Sequence, residues 1–133
     1  MSTESAKTYY LARKLLNHAL AVEHFQMPAA VYLALYPADP GDDVNVSVEI
    51  AAGGYERTLI AFAPATNLGT IVSNAVCEFP TALEDWGEIH GWTLFDQQTG
   101  GSPLYHGAFE TARTILNGDA CRVNAGELTI TEY

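Results

Sequence analysis

The chain has 133 residues, of which 48% are hydrophobic and 17% are charged, a composition that supplies one hydrophobic core and excludes an intrinsically disordered chain. Sixteen acidic residues against six basic ones give a net charge of −10. This balance opposes binding to nucleic acid and to anionic membrane surfaces, which both require clustered Lys and Arg.

The first predicted element is an amphipathic helix from about residue 4 to about residue 20, reaching residue 23 at most. Apolar residues recur there at the helical period, as Leu11, Leu15, Leu16 and Ala19 show. Pro28 excludes a helix that extends far past residue 26, because the residue before a proline is forced out of the helical conformation.

Charge separates this segment from the rest of the chain. Lys7, Arg13 and Lys14 against Glu4 give residues 1–20 a net charge of +2, which leaves −12 for the remainder. Two interpretations stay open: the helix packs on its own domain, or its apolar half docks on other subunits and its basic side matches their acidic bodies. The predicted assembly interface consists of Lys7, Leu11, Arg13, Lys14, Leu15, Leu16 and Ala19.

From residue 29 the apolar period changes to two, which is typical of β-strands. Residues 44–50 alternate between apolar and polar and predict a half-buried strand, whereas residues 31–36 are apolar on both faces and predict a central strand. Turn residues separate further predicted strands at 57–63, 70–79, 88–95, 103–109, 112–116, 120–124 and 127–132.

Short strands at this regular spacing predict a mainly β protein, an antiparallel β-sandwich of Greek-key or jelly-roll type with an N-terminal α-helix. We divide the chain into an N-terminal amphipathic helix and connector at residues 1–27 and a β-sandwich at residues 28–133. Together they form a single compact domain.

Two groups of side chains have the chemistry of metal ligands. His90 and His106 lie on neighbouring predicted strands, and Asp39, Asp42 and Asp43 form an acidic loop whose oxygens suit calcium. A hydrogen-bonded strand histidine and an acidic turn without metal are the commoner arrangements. We therefore predict no metal site and no cofactor.

An acidic loop around Trp86 invites comparison with a glycosidase, since Glu84, Asp85 and Glu88 lie beside an aromatic ring. Glycoside hydrolysis also needs a cleft and a carboxyl group with a raised pKa, neither of which the sequence shows. The chain contains none of the common nucleophile, phosphate-binding or zinc-protease motifs. The prediction is therefore a protein that is not an enzyme.

The two cysteines, Cys77 and Cys121, match no redox or zinc spacing. We interpret them as buried free thiols, because cysteine packs as a small hydrophobic residue, with one long-range disulfide as the alternative.

The turns follow one another in a defined order. The series runs through Gly53-Gly54-Tyr55-Glu56-Arg57, Phe79-Pro80, Asp85-Trp86-Gly87, Leu94-Phe95-Asp96, Thr99-Gly100-Gly101, His106-Gly107, Gly118-Asp119 and Ala125-Gly126-Glu127-Leu128. In this order the chain resembles, from about residue 8 to about residue 132, a family of small virion proteins of tailed bacteriophages that are labelled tail fibre or minor structural proteins. The resemblance implies a non-enzymatic component present in many copies on the particle.

The motif residues also have physical roles that need no resemblance. A double glycine permits a turn that bulkier residues cannot adopt, a tryptophan beside a glycine attaches a loop to the core, and an aspartate accepts bonds from a tight turn. We predict that such contacts hold the fold at Gly53, Gly54, Tyr55, Arg57, Trp86, Gly87, Asp96, Gly100 and Gly101.

These observations predict a bacteriophage virion structural protein that assembles in multiple copies in the cytoplasm of the bacterial host. The predicted partners are further copies of itself, as a homotrimer, and the major capsid or tail proteins, without nucleic acid or membrane. It would serve as a tail or fibre component or as a capsid decoration (cement) protein. The alternative is a carbohydrate-binding β-sandwich module that stacks sugars on Tyr10, Tyr36, Trp92 or Tyr105.

Overall fold

The computed structural model describes residues 2–44, 48–67 and 69–131, and it gives side-chain surroundings from residue 6 onward. Its elements are β1 (Ser2–Lys7), α1 (Tyr9–Ala19), β2 (Val31–Tyr36), β3 (Thr58–Ile60), β4 (Thr70–Val72), β5 (Cys77–Glu78), β6 (Gly87–Phe95), β7 (Pro103–Ile115), β8 (Arg122–Val123) and β9 (Thr129–Thr131). No helix within these ranges has the length and apolar character needed to cross a membrane.

The strands form one large antiparallel sheet and two small ones. The large sheet has the order β1-β7-β6-β2-β3, and the small sheets pair β4 with β9 and β5 with β8. The main core joins all three sheets, since it contains Leu33 and Trp92 of the large sheet together with Cys77, Val123 and Ile130 of the small ones. The prediction of a mainly β, antiparallel, sandwich-like fold with one N-terminal helix is confirmed.

Both faces of β2 are covered, as its continuous apolar sequence predicts. Leu33 and Leu35 point into the main core, whereas Ala34 and Tyr36 belong to a second cluster with Phe95 on the opposite face. Within the sheet, β2 pairs with β6 on one side and with β3 on the other. The strand therefore occupies an interior position.

The predicted start of the helix is wrong. Residues 2–7 form β1, which pairs antiparallel with β7 so that Lys7 lies opposite Tyr105. Thr8 then caps α1, because its Oγ1 accepts a hydrogen bond from the backbone N–H of Leu11 (3.1 Å) and donates one to the carbonyl of Pro103 (2.7 Å). The same threonine therefore begins the helix and fixes it to the start of β7.

Several predicted strands have different bounds in the structure. The predicted strands at 103–109 and 112–116 are one strand, β7, which ends at Ile115 and whose pairing with β6 is irregular between Ala108 and Arg113. Residues 70–79 contain two short strands, β4 and β5. The prediction for residues 44–50 is wrong at Val44 and at 48–50, which are not in a strand. Its central residues, 45–47, lie outside the described ranges.

Candidate functional site

The loop before β6 is attached to the core by Trp86. Its side chain is 6% exposed, and its indole N–H donates a hydrogen bond to the carbonyl of Gly53 (2.9 Å). The Tyr55 ring meets the Trp86 ring edge-on at 5.5 Å between centroids and stacks on Phe79 at 6.2 Å. The turn containing Gly53 and the loop containing Trp86 therefore form one aromatic cluster.

Gly54 permits the close approach of these two segments. It has a φ of +86°, and a Cβ added there would lie 2.6 Å from the backbone oxygen of Thr81. The backbone N–H of Leu83 donates to the carbonyl of Gly53 (3.0 Å) and closes the contact. Gly87 differs, because it also has a positive φ of +85° but open space around it, so only its backbone conformation favours glycine.

Arg57 is the centre of a second, polar cluster. Its side chain is 7% exposed, and it forms a double contact with Glu49, from Nη2 to Oε1 (2.9 Å) and from Nε to Oε2 (3.0 Å). Its remaining nitrogen, Nη1, donates to the carbonyl of Gly100 (2.6 Å), and the guanidinium lies over the Phe95 ring. Each side of this buried cation is thereby occupied by a specific partner.

Glu49 connects the two clusters. It accepts a hydrogen bond from the hydroxyl of Tyr55, which in turn accepts one from the backbone N–H of Leu35 (3.0 Å). Burial, together with the nearby carboxylate of Glu49, raises the pKa of Tyr55 well above its ordinary value, so the hydroxyl keeps its proton. Glu49 is not among the residues predicted from the sequence, because it occupies a polar position of the alternating pattern at residues 44–50.

The turn between β6 and β7 presents its carbonyl groups to Arg57. Asp96 Oδ1 accepts a hydrogen bond from the backbone N–H of Ser102 (2.7 Å). Gly100 and Gly101 have φ values of +67° and +74°, and a Cβ on Gly101 would lie 2.5 Å from Asp96 Oδ1. The nine motif residues therefore lie in these two clusters and in the turns that border them.

A third polar group lies on β7. His106 is 5% exposed, and its Nδ1 and Nε2 lie 2.6 Å and 2.7 Å from carboxylate oxygens of Asp39 and Asp42. The two aspartates considered above as calcium ligands thus engage a histidine, and the residue opposite His106 on β6 is Thr93 rather than His90.

Other candidate chemical groups have structural contacts. Glu84 Oε1 accepts from the backbone N–H of Gly53 (2.5 Å), and Asp85 Oδ1 accepts from that of Asn117 (2.8 Å). Trp92 and Tyr36 have no exposed surface, so neither ring is accessible to a sugar. Within residues 2–44, 48–67 and 69–131, no group of three or more His, Cys, Asp or Glu side chains is arranged to hold a metal ion.

The helix divides the predicted assembly residues between interior and surface. Leu11 is 4% exposed and packs inward, whereas Leu16 is 62% exposed and Leu20, just after the helix, is 71% exposed. Arg13 is exposed, and Lys14 forms an ion pair with Glu23 (3.1 Å). A groove of about 330 Å³ runs beside the helix and is lined by Lys7, Ala12, Leu15, Leu16 and Ala19.

Two further apolar side chains, which follow α1 in the chain, are also exposed. Val22 is 73% exposed and Met27 is 82% exposed. We define the helix face as Leu16, Ala19, Leu20, Val22 and Met27. Within α1, Leu16 is exposed to solvent, whereas Leu11 is buried.

A family model described as Podophage GP4 fiber I protein gp80 matches residues 6–131 of the chain. The matched range includes α1, both motif clusters and every strand except most of β1. The match confirms the resemblance to tailed-phage fibre proteins that the order of the turns predicts. No curated protein matches the chain.

Proposed function

The chain belongs to the Podophage GP4 fiber I protein gp80 family, whose members are structural components of the phage virion, and from this premise we propose that it is a multi-copy fibre subunit that docks on neighbouring subunits through its helix face. The observation that carries the proposal is the exposure of that face. Its large side chains are between 62% and 82% exposed. Several large apolar side chains exposed in one short segment point to an interaction site, whereas single exposed apolar residues are ordinary.

The different contacts of the motif clusters and of the helix face support the proposal. The conspicuous polar residues, Arg57, Glu49 and Asp96, are engaged in contacts that hold the turns together. The helix face has no such internal role, because its side chains point away from the core that Leu11 enters. We therefore assign the fold to the motif clusters and the assembly to the N-terminal segment.

The proposed oligomer is a homotrimer formed in the cytoplasm of the bacterial host, and the proposed position is the tail. Three-fold contacts are a common solution for fibre proteins, which is an analogy at the level of fold. The word fibre in the description of the matching family favours the tail over the capsid shell. A decoration protein on the shell is the second candidate for position.

The proposal is tested by a double variant of the helix face, Leu16→Glu with Leu20→Glu, in the full chain. Both side chains are exposed, so the fold should be retained while incorporation into particles falls. Mass spectrometry of purified particles measures the number of incorporated copies. The matched control is Leu59→Glu on β3, which is 57% exposed and lies outside the helix face, and it should incorporate normally.

Normal incorporation of the helix-face variant would contradict the proposal. Gold labelling of particles by electron microscopy distinguishes the two positions. Label on the tail supports the fibre assignment, and label distributed over the shell would replace it with the decoration role.

A further inference from the structure

A second apolar surface lies in the loops that precede β6 and follow β7. Leu83 is 71% exposed, more than any other large hydrophobic side chain in the described part of residues 28–131, and Leu116 is 49% exposed. The two loops are held together because Ala82 N–H donates to the carbonyl of Asp119 (2.9 Å) and Gly118 N–H donates to that of Ala82 (2.8 Å). Leu83 and Leu116 therefore sit on one rigid pair of loops.

Three acidic residues belong to the same two loops as these leucines. Glu84, Asp85 and Asp119 are all exposed. Each carboxylate accepts a backbone hydrogen bond, Glu84 from Gly53, Asp85 from Asn117 and Asp119 from Leu116. We define the acidic pole as Leu83, Glu84, Asp85, Leu116 and Asp119. It combines two exposed apolar side chains with three exposed carboxylates.

The cations near this end of the molecule are already engaged. Arg113 contacts Glu127 (3.6 Å) and Arg122 contacts Glu78 (3.1 Å). The negative charge of the acidic pole is therefore not balanced by these two arginines.

The acidic pole and the start of α1 lie at opposite ends of the large sheet. The hydroxyl of Thr8, at the start of α1, donates a hydrogen bond to the carbonyl of Pro103, and Pro103 pairs with Phe95 at one end of β6. The backbone N–H of Trp86 donates a hydrogen bond to the carbonyl of Ile115, and Ile115 pairs with Gly87 at the other end of β6. The nine residues of β6 separate the two ends by about 26 Å at the usual rise of a strand.

The two ends are complementary in chemistry. The groove beside α1 is lined by apolar side chains and by Lys7, and Arg13 is exposed one helical turn from Leu16. The acidic pole offers the matching apolar side chains and opposite charge. We propose that copies of this chain associate head to tail, with the acidic pole of one copy seated on the α1 groove of the next.

This inference rests on the proposed multi-copy assembly and names the partner surface. A contact between two different surfaces of the same protein is heterologous, and it closes into a ring when the rotation between copies divides a full turn. A rotation of one third of a turn gives the homotrimer proposed above. Each copy then uses both ends.

The test uses two full-length variants, Leu16→Glu in the groove and Leu83→Lys in the acidic pole. Each substituted side chain is largely exposed, so both variants should keep the thermal midpoint of the parent protein. Analytical ultracentrifugation should show that each variant alone self-associates roughly tenfold more weakly or worse. An equimolar mixture should form a one-to-one dimer, because the intact acidic pole of the first variant fits the intact groove of the second.

The control is Val76→Lys, which is 55% exposed and outside both surfaces, and it should assemble like the parent. If only Leu16→Glu loses assembly, the helix face docks elsewhere, and this inference fails while the proposed function stands. If both variants assemble normally, this inference and the proposed function both fail. A mixture that remains monomeric would also overturn the head-to-tail arrangement.

Discussion

The guanidinium carbon of Arg57 lies 3.6 Å from the centroid of the Phe95 ring. The planar cation covers the aromatic face while its edges bind Glu49 and the carbonyl of Gly100. Lysine has neither the planar shape nor the forked set of donors that this site uses.

We therefore expect Arg57→Lys to lower the free energy of unfolding by about 2–3 kcal/mol, because it leaves Glu49 buried with an incomplete partner. Urea denaturation followed by fluorescence measures the change. The control is Arg122→Lys, whose ion pair with Glu78 is about half exposed and should contribute at most about 0.5 kcal/mol. Equal effects for the two variants would contradict the structural role of Arg57.

Trp86→Ala should destabilise the protein by about 3–5 kcal/mol, since it removes a buried ring from the contact with Tyr55. Trp86→Phe should cost less, because it keeps an aromatic ring and loses the hydrogen bond to Gly53. The same denaturation measurement distinguishes the two. Leu83→Ala serves as a control for the exposed neighbouring loop, and a Trp86→Ala protein as stable as this control would show that the ring is not part of the core.

Gly91→Ala should destabilise by about 3 kcal/mol. An added Cβ would overlap the backbone carbonyl of Ala38 and lie 2.6 Å from the backbone nitrogen of Asp39, and neither atom can move like a flexible side chain. The resulting displacement should also release the contacts of His106 with Asp39 and Asp42, visible as faster amide exchange at Gly41 and Tyr9. The control is Gly118→Ala, because a Cβ at Gly118 meets open space, and this variant should lose only the smaller free energy that its positive φ costs a non-glycine residue. Unchanged amide exchange at Gly41 and Tyr9 in Gly91→Ala would contradict the close approach of Gly91 to Ala38.

Alkaline pH should destabilise the protein through Cys77. Burial raises the pKa of its thiol from 9.0 to about 12, with Cys121 as a smaller cause. Between these values the unfolded chain binds fewer protons than the folded one, so the free energy of unfolding falls as the pH rises through this window. Burial likewise raises the pKa of Tyr36 to about 12, which acts in the same direction.

Urea denaturation at about pH 8 and about pH 10.5 measures this dependence, and Cys77→Val should reduce the loss of stability between the two conditions. The folded protein should also resist alkylation at Cys77 and Cys121, which are both free and buried, until denaturant is added. Rapid alkylation without denaturant, or an unchanged pH dependence in Cys77→Val, would contradict this account.

The elements with strong local patterns could be predicted from the sequence. The apolar residues of β2 and the long β6 indicate covered strands, and Leu11, Leu15 and Leu16 indicate the helix. β1 was missed because its own residues carry a weak pattern and its pairing partner lies on β7, about a hundred residues further along the chain. Pairing over that separation depends on the folded sheet rather than on local preference.

The same limit applies to the motif residues. Their order indicates which turns matter, yet the partner of Arg57 was not identified, because Glu49 occupies a polar position of an apparent β pattern and becomes 12% exposed only in the fold. The contacts of His106 with Asp39 and Asp42 escape prediction for a similar reason, because these aspartates belong to a loop whose path over the sheet has no local signature.

The pairing of β1 with β7 has a consequence for the exposed edge of the large sheet. An uncovered strand edge offers unpaired backbone groups to any chain nearby and promotes open-ended aggregation. Residues 105–109 of β7 are covered by β1, whose sequence carries the charges of Glu4 and Lys7. β1 is itself an edge of the large sheet, and these charges disfavour backbone pairing with a strand of another chain.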